Sequence, residues 1–114
     1  MIRIKTHTHG VKLSIFMLLS MLSLSACSEP KLVGDIKKGE EKSAICGQCH
    51  GKNGIAIIPV YPNLAGQKAP YMELQLKAFR EGTRVNAAMT PHARKLSDQD
   101  IADLSAYYAN MKTK

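Results

Sequence analysis

Cys46, Cys49 and His50 fall within five consecutive residues, "CGQCH", of a 114-residue chain. Two thiols and an imidazole packed this tightly constrain the fold more than any other feature, because each chemistry that uses the spacing demands its own frame. The size of the chain sharpens the constraint. There is no tryptophan, and only four tyrosines and two phenylalanines supply aromatic bulk. A single domain of this length buries little apolar surface and needs a staple such as a disulfide, a metal or another central body.

The working domain is smaller than the chain. Residues 1–26 carry Arg3, Lys5 and Lys12, no acid, and an apolar run at 13–24, "LSIFMLLSMLSL". A basic start, a short apolar core and small residues after it describe a secretory signal. The run falls short of the roughly 20 residues that a membrane-spanning helix needs. It ends in "LSAC", residues 24–27, which resembles the lipobox of bacterial lipoproteins, in which the cysteine is acylated and becomes the first residue. That assignment uses Cys27, the odd one of three cysteines. Ser28, not Asp, follows it, which in the sorting rule this resembles favours the outer over the inner membrane. Residues 27–34 then read as a lipid-anchored tether and 35–114 as the domain. The formal charge of +7 loses three basic residues with the signal. An exported protein with no cluster of basic and aromatic residues is not a nucleic-acid binder. Its mild positive charge suits an acidic redox partner.

The periodic segments of the domain are helical, and no strand alternation stands out. A first helix is expected over 35–46, capped by Asp35, with Ile36, Ala44 and Ile45 as its apolar groups and Gly39 inside it. A mid-helix glycine costs about 1 kcal/mol relative to alanine, so close approach of another helix would be its reason. Residues 51–67, rich in Gly and Pro, form a long irregular loop that could wrap a flat ligand. A second helix spans 70–81, with Pro70 at its start and Gly82 after its end. Tyr71, Leu74 and Ala78 make one stripe on it and Met72, Leu76 and Phe79 another, so burial on more than one side is expected. Residues 83–96 are broken by Pro91. A closing helix starts at a capping box of Ser97 and Asp100 and carries Ile101, Leu104, Tyr108 and Met111 at helical spacing, with Tyr107 beside them.

This helical frame arbitrates between the chemistries of Cys-x-x-Cys. A structural zinc site wants four ligands, and beyond Cys46, Cys49 and His50 only His92 remains, with no second closely spaced pair. A thiol–disulfide centre expects a βαβ context. Covalent haem attachment uses Cys-x-x-Cys-His directly: the thiols of Cys46 and Cys49 add to the two vinyl groups of one haem, and His50 gives its imidazole to iron.

With "GDIKKGEEKSAICGQCHG", "YPNLAGQKAPY" leading into "LQLKAFREGTR", and "MTPHARKLSDQDIADLSAYYA" in that order, residues 34–111 resemble a class I cytochrome c, similar to the halves of cytochrome c4 and to cytochrome c5. The resemblance implies an all-α fold, a small class I bundle wrapped around one covalent haem c. It implies that the first and last helices cross at Gly39 and Tyr107, with Leu104 nearby. It also implies that the carbonyl of Pro62, with Pro59 the lesser candidate, holds the proximal imidazole of His50.

Met72 and Met111 lie on helical stripes, where methionines serve as core. Met89, in a Pro-flanked segment between helices, matches the family's methionine before the last helix and is the expected sixth ligand; His92 and an open position are the alternatives. A His/Met pair raises the potential relative to His/His and keeps iron six-coordinate. The reading is a single-electron carrier, not an enzyme, exported and periplasm-facing, lipid-anchored, with redox proteins as donor and acceptor. Gln67, Arg80 and Arg84 are candidates for haem propionate contact, while Lys77 and Lys95 read as solvated. The rivals are a haem sensor with a displaceable sixth ligand and a fixed cytochrome subunit of a larger oxidoreductase.

Overall fold

The computed structural model describes residues 30–113; the signal expected at 1–26 and the acylation site expected at Cys27 lie outside the described residues. Five helices follow in order: α1 (Ile36–Lys42), α2 (Gly47–His50), α3 (Ala69–Glu81), α4 (Met89–Ala93) and α5 (Asp98–Asn110). No strand occurs among the described residues, as an all-α chain requires.

Helix α5 is the spine. Ser97 accepts a hydrogen bond from the Asp100 N–H, and the Asp100 side chain accepts from the Ser97 N–H, so the expected capping box is present. Ile101, Leu104 and Tyr108 are buried as their spacing predicts. Leu104 and Tyr108 form the core with Met72 of α3, and Cys46, Leu64, Leu96, Tyr107 and Met111 pack around them.

Helix α1 starts as expected, with the Asp35 carboxylate accepting from the Lys37 and Lys38 N–H groups. It ends at Lys42, four residues earlier than the expected bound at Cys46. The Ser43 hydroxyl donates to the Glu40 carbonyl, and the Ser43 N–H reaches the same oxygen, which tightens the chain out of the α-helix. Ile36 and Ile45 are exposed, so α1 is not held by an apolar stripe. It is held by a glycine: a Cβ on Gly39 would stand 2.1 Å from the Asp103 carbonyl oxygen and 2.7 Å from the Tyr107 Cβ. The α1–α5 crossing therefore brings backbone against backbone. Gly34, assigned to the tether from sequence, makes a second such contact, with a Cβ there 2.1 Å from the Ala102 carbonyl oxygen.

A buried acid completes the crossing. Asp103 is fully buried and accepts from the Asp35 N–H at 2.9 Å, Lys42 Nζ at 2.7 Å and Gln99 Nε2 at 2.7 Å. Lys42 also meets Asp100 at 2.7 Å. Burial pushes the Asp103 pKa up, but these donors outweigh it and leave it at about 2. Lys42 and the Ser97 groups hold Asp100 at about 2 as well.

Helix α3 has Pro70 in its first turn and ends on Gly82 at φ 80°. Met72 and Phe79 are buried as expected, but Tyr71 and Leu74 of the other stripe are exposed, since α4 and α5 cover α3 on one side only. Pro91 does not interrupt the segment it was expected to break. It is the third residue of α4, in the first turn, where the missing N–H has no helical partner to lose.

Candidate functional site

One helical turn gathers the cysteines. The His50 N–H bonds the Cys46 carbonyl at 2.9 Å and the Cys49 N–H bonds it at 3.2 Å. Cys46 and Cys49 thus stand three apart in a helical turn and project from the same side. Neither is in a disulfide; Cys49 is exposed and Cys46 is half-buried against Tyr108. Burial pushes the Cys46 pKa up, opposed by a hydrogen bond with the Tyr108 hydroxyl. The turn ends at Gly51, φ 81°, where a Cβ would lie 2.0 Å from the Ile55 carbonyl oxygen. Only glycine lets the chain leave the cysteine turn this sharply.

His50 is buried, and its Nδ1 lies 2.8 Å from the Pro62 carbonyl oxygen. A carbonyl only accepts, so Nδ1 carries the proton and Nε2 keeps its lone pair. Tyr61 sets its ring edge-on to the imidazole at 6.2 Å between centroids. The loop is closed behind them: Leu64 and Ala65 N–H groups both donate to the Gly54 carbonyl, and Asn63 Oδ1 accepts from the Ala56 N–H. Pro62, not Pro59, is the residue at the imidazole.

Met89 opens α4 and is half-buried. Asn86 holds that end, its Oδ1 accepting from the Ala88 and Met89 N–H groups at 2.9 Å each, while Thr90 Oγ1 accepts from the Asn86 N–H. Met72 sits in the core, Met111 packs against it, and His92 is exposed. Two of the propionate candidates are otherwise engaged. Arg80 pairs with Asp98 at 2.7 Å and donates to the Leu96 carbonyl. Arg84 lies over the Phe79 ring and hydrogen-bonds Gln75. Gln67 accepts from the Lys68 N–H.

The donor set fits covalent haem. Two thiols lie on one side of a turn, and the next residue is an imidazole with its tautomer set and Nε2 free. A tetrahedral zinc site does not fit, because no group of three or more His, Cys, Asp or Glu among the described residues is placed to hold a metal ion. Tyr61, Asn63, Asn86 and Tyr108 belong to the site's frame and were not singled out from sequence for it. The tyrosine before "PNLAG" and the asparagine three before Met89 were the available signals.

The Cytochrome c family profile matches residues 36–112. The chain is 51% identical over 82 residues to cytochrome c-554(548) of Halomonas halodenitrificans, covering 69% of this chain and 99% of that one. It is 39% identical over 92 residues to cytochrome c4 of Pseudomonas aeruginosa, covering 81% of this chain and 46% of that one. The crystal structure of reduced recombinant cytochrome c4 from Pseudomonas stutzeri superposes with a TM-score of 0.67 at 37% identity, over 70% of this chain and 47% of that one. The chain thus spans nearly all of the first relative and about half the length of the cytochrome c4 relatives.

Proposed function

The chain belongs to the cytochrome c family, with one covalent haem c as its cofactor, and from that premise we propose that it is a His/Met-ligated single-electron carrier of the bacterial cell envelope. Cys46 and Cys49 hold the haem, His50 and Met89 give its axial bonds, and Pro62 orients His50. The observation that carries this reading is the 2.8 Å contact from His50 Nδ1 to the Pro62 carbonyl, beside a turn that presents both thiols. Such a contact sets the ligating nitrogen and its direction before any metal arrives.

The haem supplies the one-electron couple of its iron. The protein's part is to hold geometry constant through the transfer. Gly51 and the Gly54–Ala65 closure lock the imidazole side, and Asn86 pins the start of α4, which carries Met89. A thioether raises the potential compared with a second imidazole. Tyr108 at Cys46 shields one attachment point from water.

Carbon monoxide tests the sixth ligand. The reduced wild-type protein should not bind it rapidly at neutral pH, whereas Met89→Ala should bind it stoichiometrically. Rapid binding by the wild type would favour the sensor reading. Envelope placement is supported by the basic, then apolar start of the chain and by "LSAC" at 24–27. Acylation of Cys27 makes the carrier membrane-bound, and two or more acyl chains anchor stably. Cys27→Ala should release the haem protein to the soluble fraction. Retention after a salt wash would remove the lipid anchor from the proposal.

A further inference from the structure

The segment before α1, expected from sequence to be a tether, is held against the domain. The Val33 carbonyl accepts from Gln99 Nε2 at 3.0 Å, and the Asp35 N–H donates to the Asp103 carboxylate at 2.9 Å. Between them Gly34 lies so close to α5 that a Cβ on it would stand 2.1 Å from the Ala102 carbonyl oxygen and 2.8 Å from the Ala106 Cβ. Upstream, Lys31 and Leu32 line one groove with Glu73 and Lys77 of α3 and Asp98 and Ala102 of α5. Residues 31–35 thus form a strap across the seam of α3 and α5. Electron exchange at the cysteine turn does not require one.

We infer that this strap sets how the domain sits on a lipid surface: the α3–α5 side meets the bilayer and the cysteine turn faces away from it. The inference rests on the reading that Cys27 is acylated, and reach decides the rest. A free tether from Cys27 to Asp35 would extend about 28 Å, close to the width of about 30 Å of a domain this size, and would let it turn any side to the membrane. With the strap seated, the link from Cys27 to Lys31 extends about 14 Å at most, so the acyl chains enter the bilayer beside the groove. The cysteines lie toward the other end of α5. Cys46 packs against the core that holds Tyr108, and Tyr108 stands about 15 Å along the helix axis from Asp98 at the groove. Around the groove Val33 is 85% exposed, Leu74 62% and Leu32 43%. Leu74 lies one turn from Lys77 on the same side of α3. The acyl chains anchored nearby select lipid as what these side chains meet. Lys31 and Lys77 balance Glu73 and Asp98 along the groove, so this side needs no anionic headgroup. The acyl chains supply the affinity, and the strap supplies the orientation.

Spin labelling of the full-chain, acylated holoprotein on phosphatidylcholine vesicles tests it. Cys46 and Cys49 are taken up by haem and Cys27 by lipid, so a nitroxide attaches at one introduced thiol. Leu74→Cys places it beside the groove. Lys52→Cys places it beside the cysteine turn, where the Lys52 Cα would lie 3.5 Å from a Cβ on Gly47. Relaxation by lipid-soluble oxygen, relative to an aqueous nickel chelate, should be several-fold greater at Leu74→Cys than at Lys52→Cys. Adding Gly34→Ala should lift the strap and bring the two ratios together, with vesicle binding and the haem spectrum unchanged. Equal ratios, or a higher ratio at Lys52→Cys, in protein that floats with the vesicles would leave the anchor standing and overturn the inference. A preference that survives Gly34→Ala would also overturn it, because something other than the strap would then orient the domain. Protein that stays in solution would remove the anchor itself, and the inference with it.

Discussion

Asp103 shows how much a single residue contributes to this fold. Its carboxylate is out of solvent and is matched by the Asp35 N–H, Lys42 and Gln99. It ties both ends of α1 to α5. A carboxylate at about pKa 2 when folded and about 3.9 when unfolded contributes stability that is full above the unfolded value. That stability is lost as pH falls through the folded one. Asp100 behaves alike. The holoprotein should therefore hold its thermal stability down to about pH 4 and lose it between about pH 4 and 2. Asp103→Asn should cost about 2 kcal/mol at neutral pH and flatten that acid limb. Melting curves from pH 7 to 2 read both, and an unchanged acid limb in the variant would contradict the assignment. Nothing in the sequence marks Asp103, whose lysine partner is 61 residues away. His50 was legible because its neighbours Cys46 and Cys49 restrict what an imidazole there can do.

Among the elements, α5 was legible almost to the residue, because its capping box and apolar spacing are local signals and both agree. The end of α1 was not. Its stop depends on Ser43 turning back onto Glu40, and serine signals helix starts as readily as stops. The exposed stripe of α3 and the placement of Pro91 inside α4 also escaped, since each depends on which neighbour covers which face. The α1–α5 crossing was foreseen through Gly39. Alanine at an unobstructed helix position would gain about 1 kcal/mol over glycine. At Gly39 the 2.1 Å approach to the Asp103 carbonyl reverses the sign, because backbone cannot yield as a side-chain tip can. Gly39→Ala should lose about 2 kcal/mol and lower the Tm by about 10 °C. A Tm equal to or above the wild type would show that the helices separate without cost.

As a whole molecule, the domain is a thin frame. Few large side chains are buried, the spine is one helix, and much of its apolar surface lies on the loop and on α3. Among the described residues, no helix is long and apolar enough to cross a membrane. A chain built this way depends on a central group for its core, and Cys46, Cys49 and His50 are placed to hold one. The central claim is that this group is haem, attached at both cysteines and ligated by His50 and Met89. The most direct test is the optical spectrum of the purified protein, oxidised and reduced, with a pyridine haemochrome assay. The expected result is a c-type haemochrome together with the long-wavelength sulfur-to-iron band in the ferric form. A c-type haemochrome without that band would contradict Met89, and no haem in protein made with the maturation machinery present would contradict the assignment entirely.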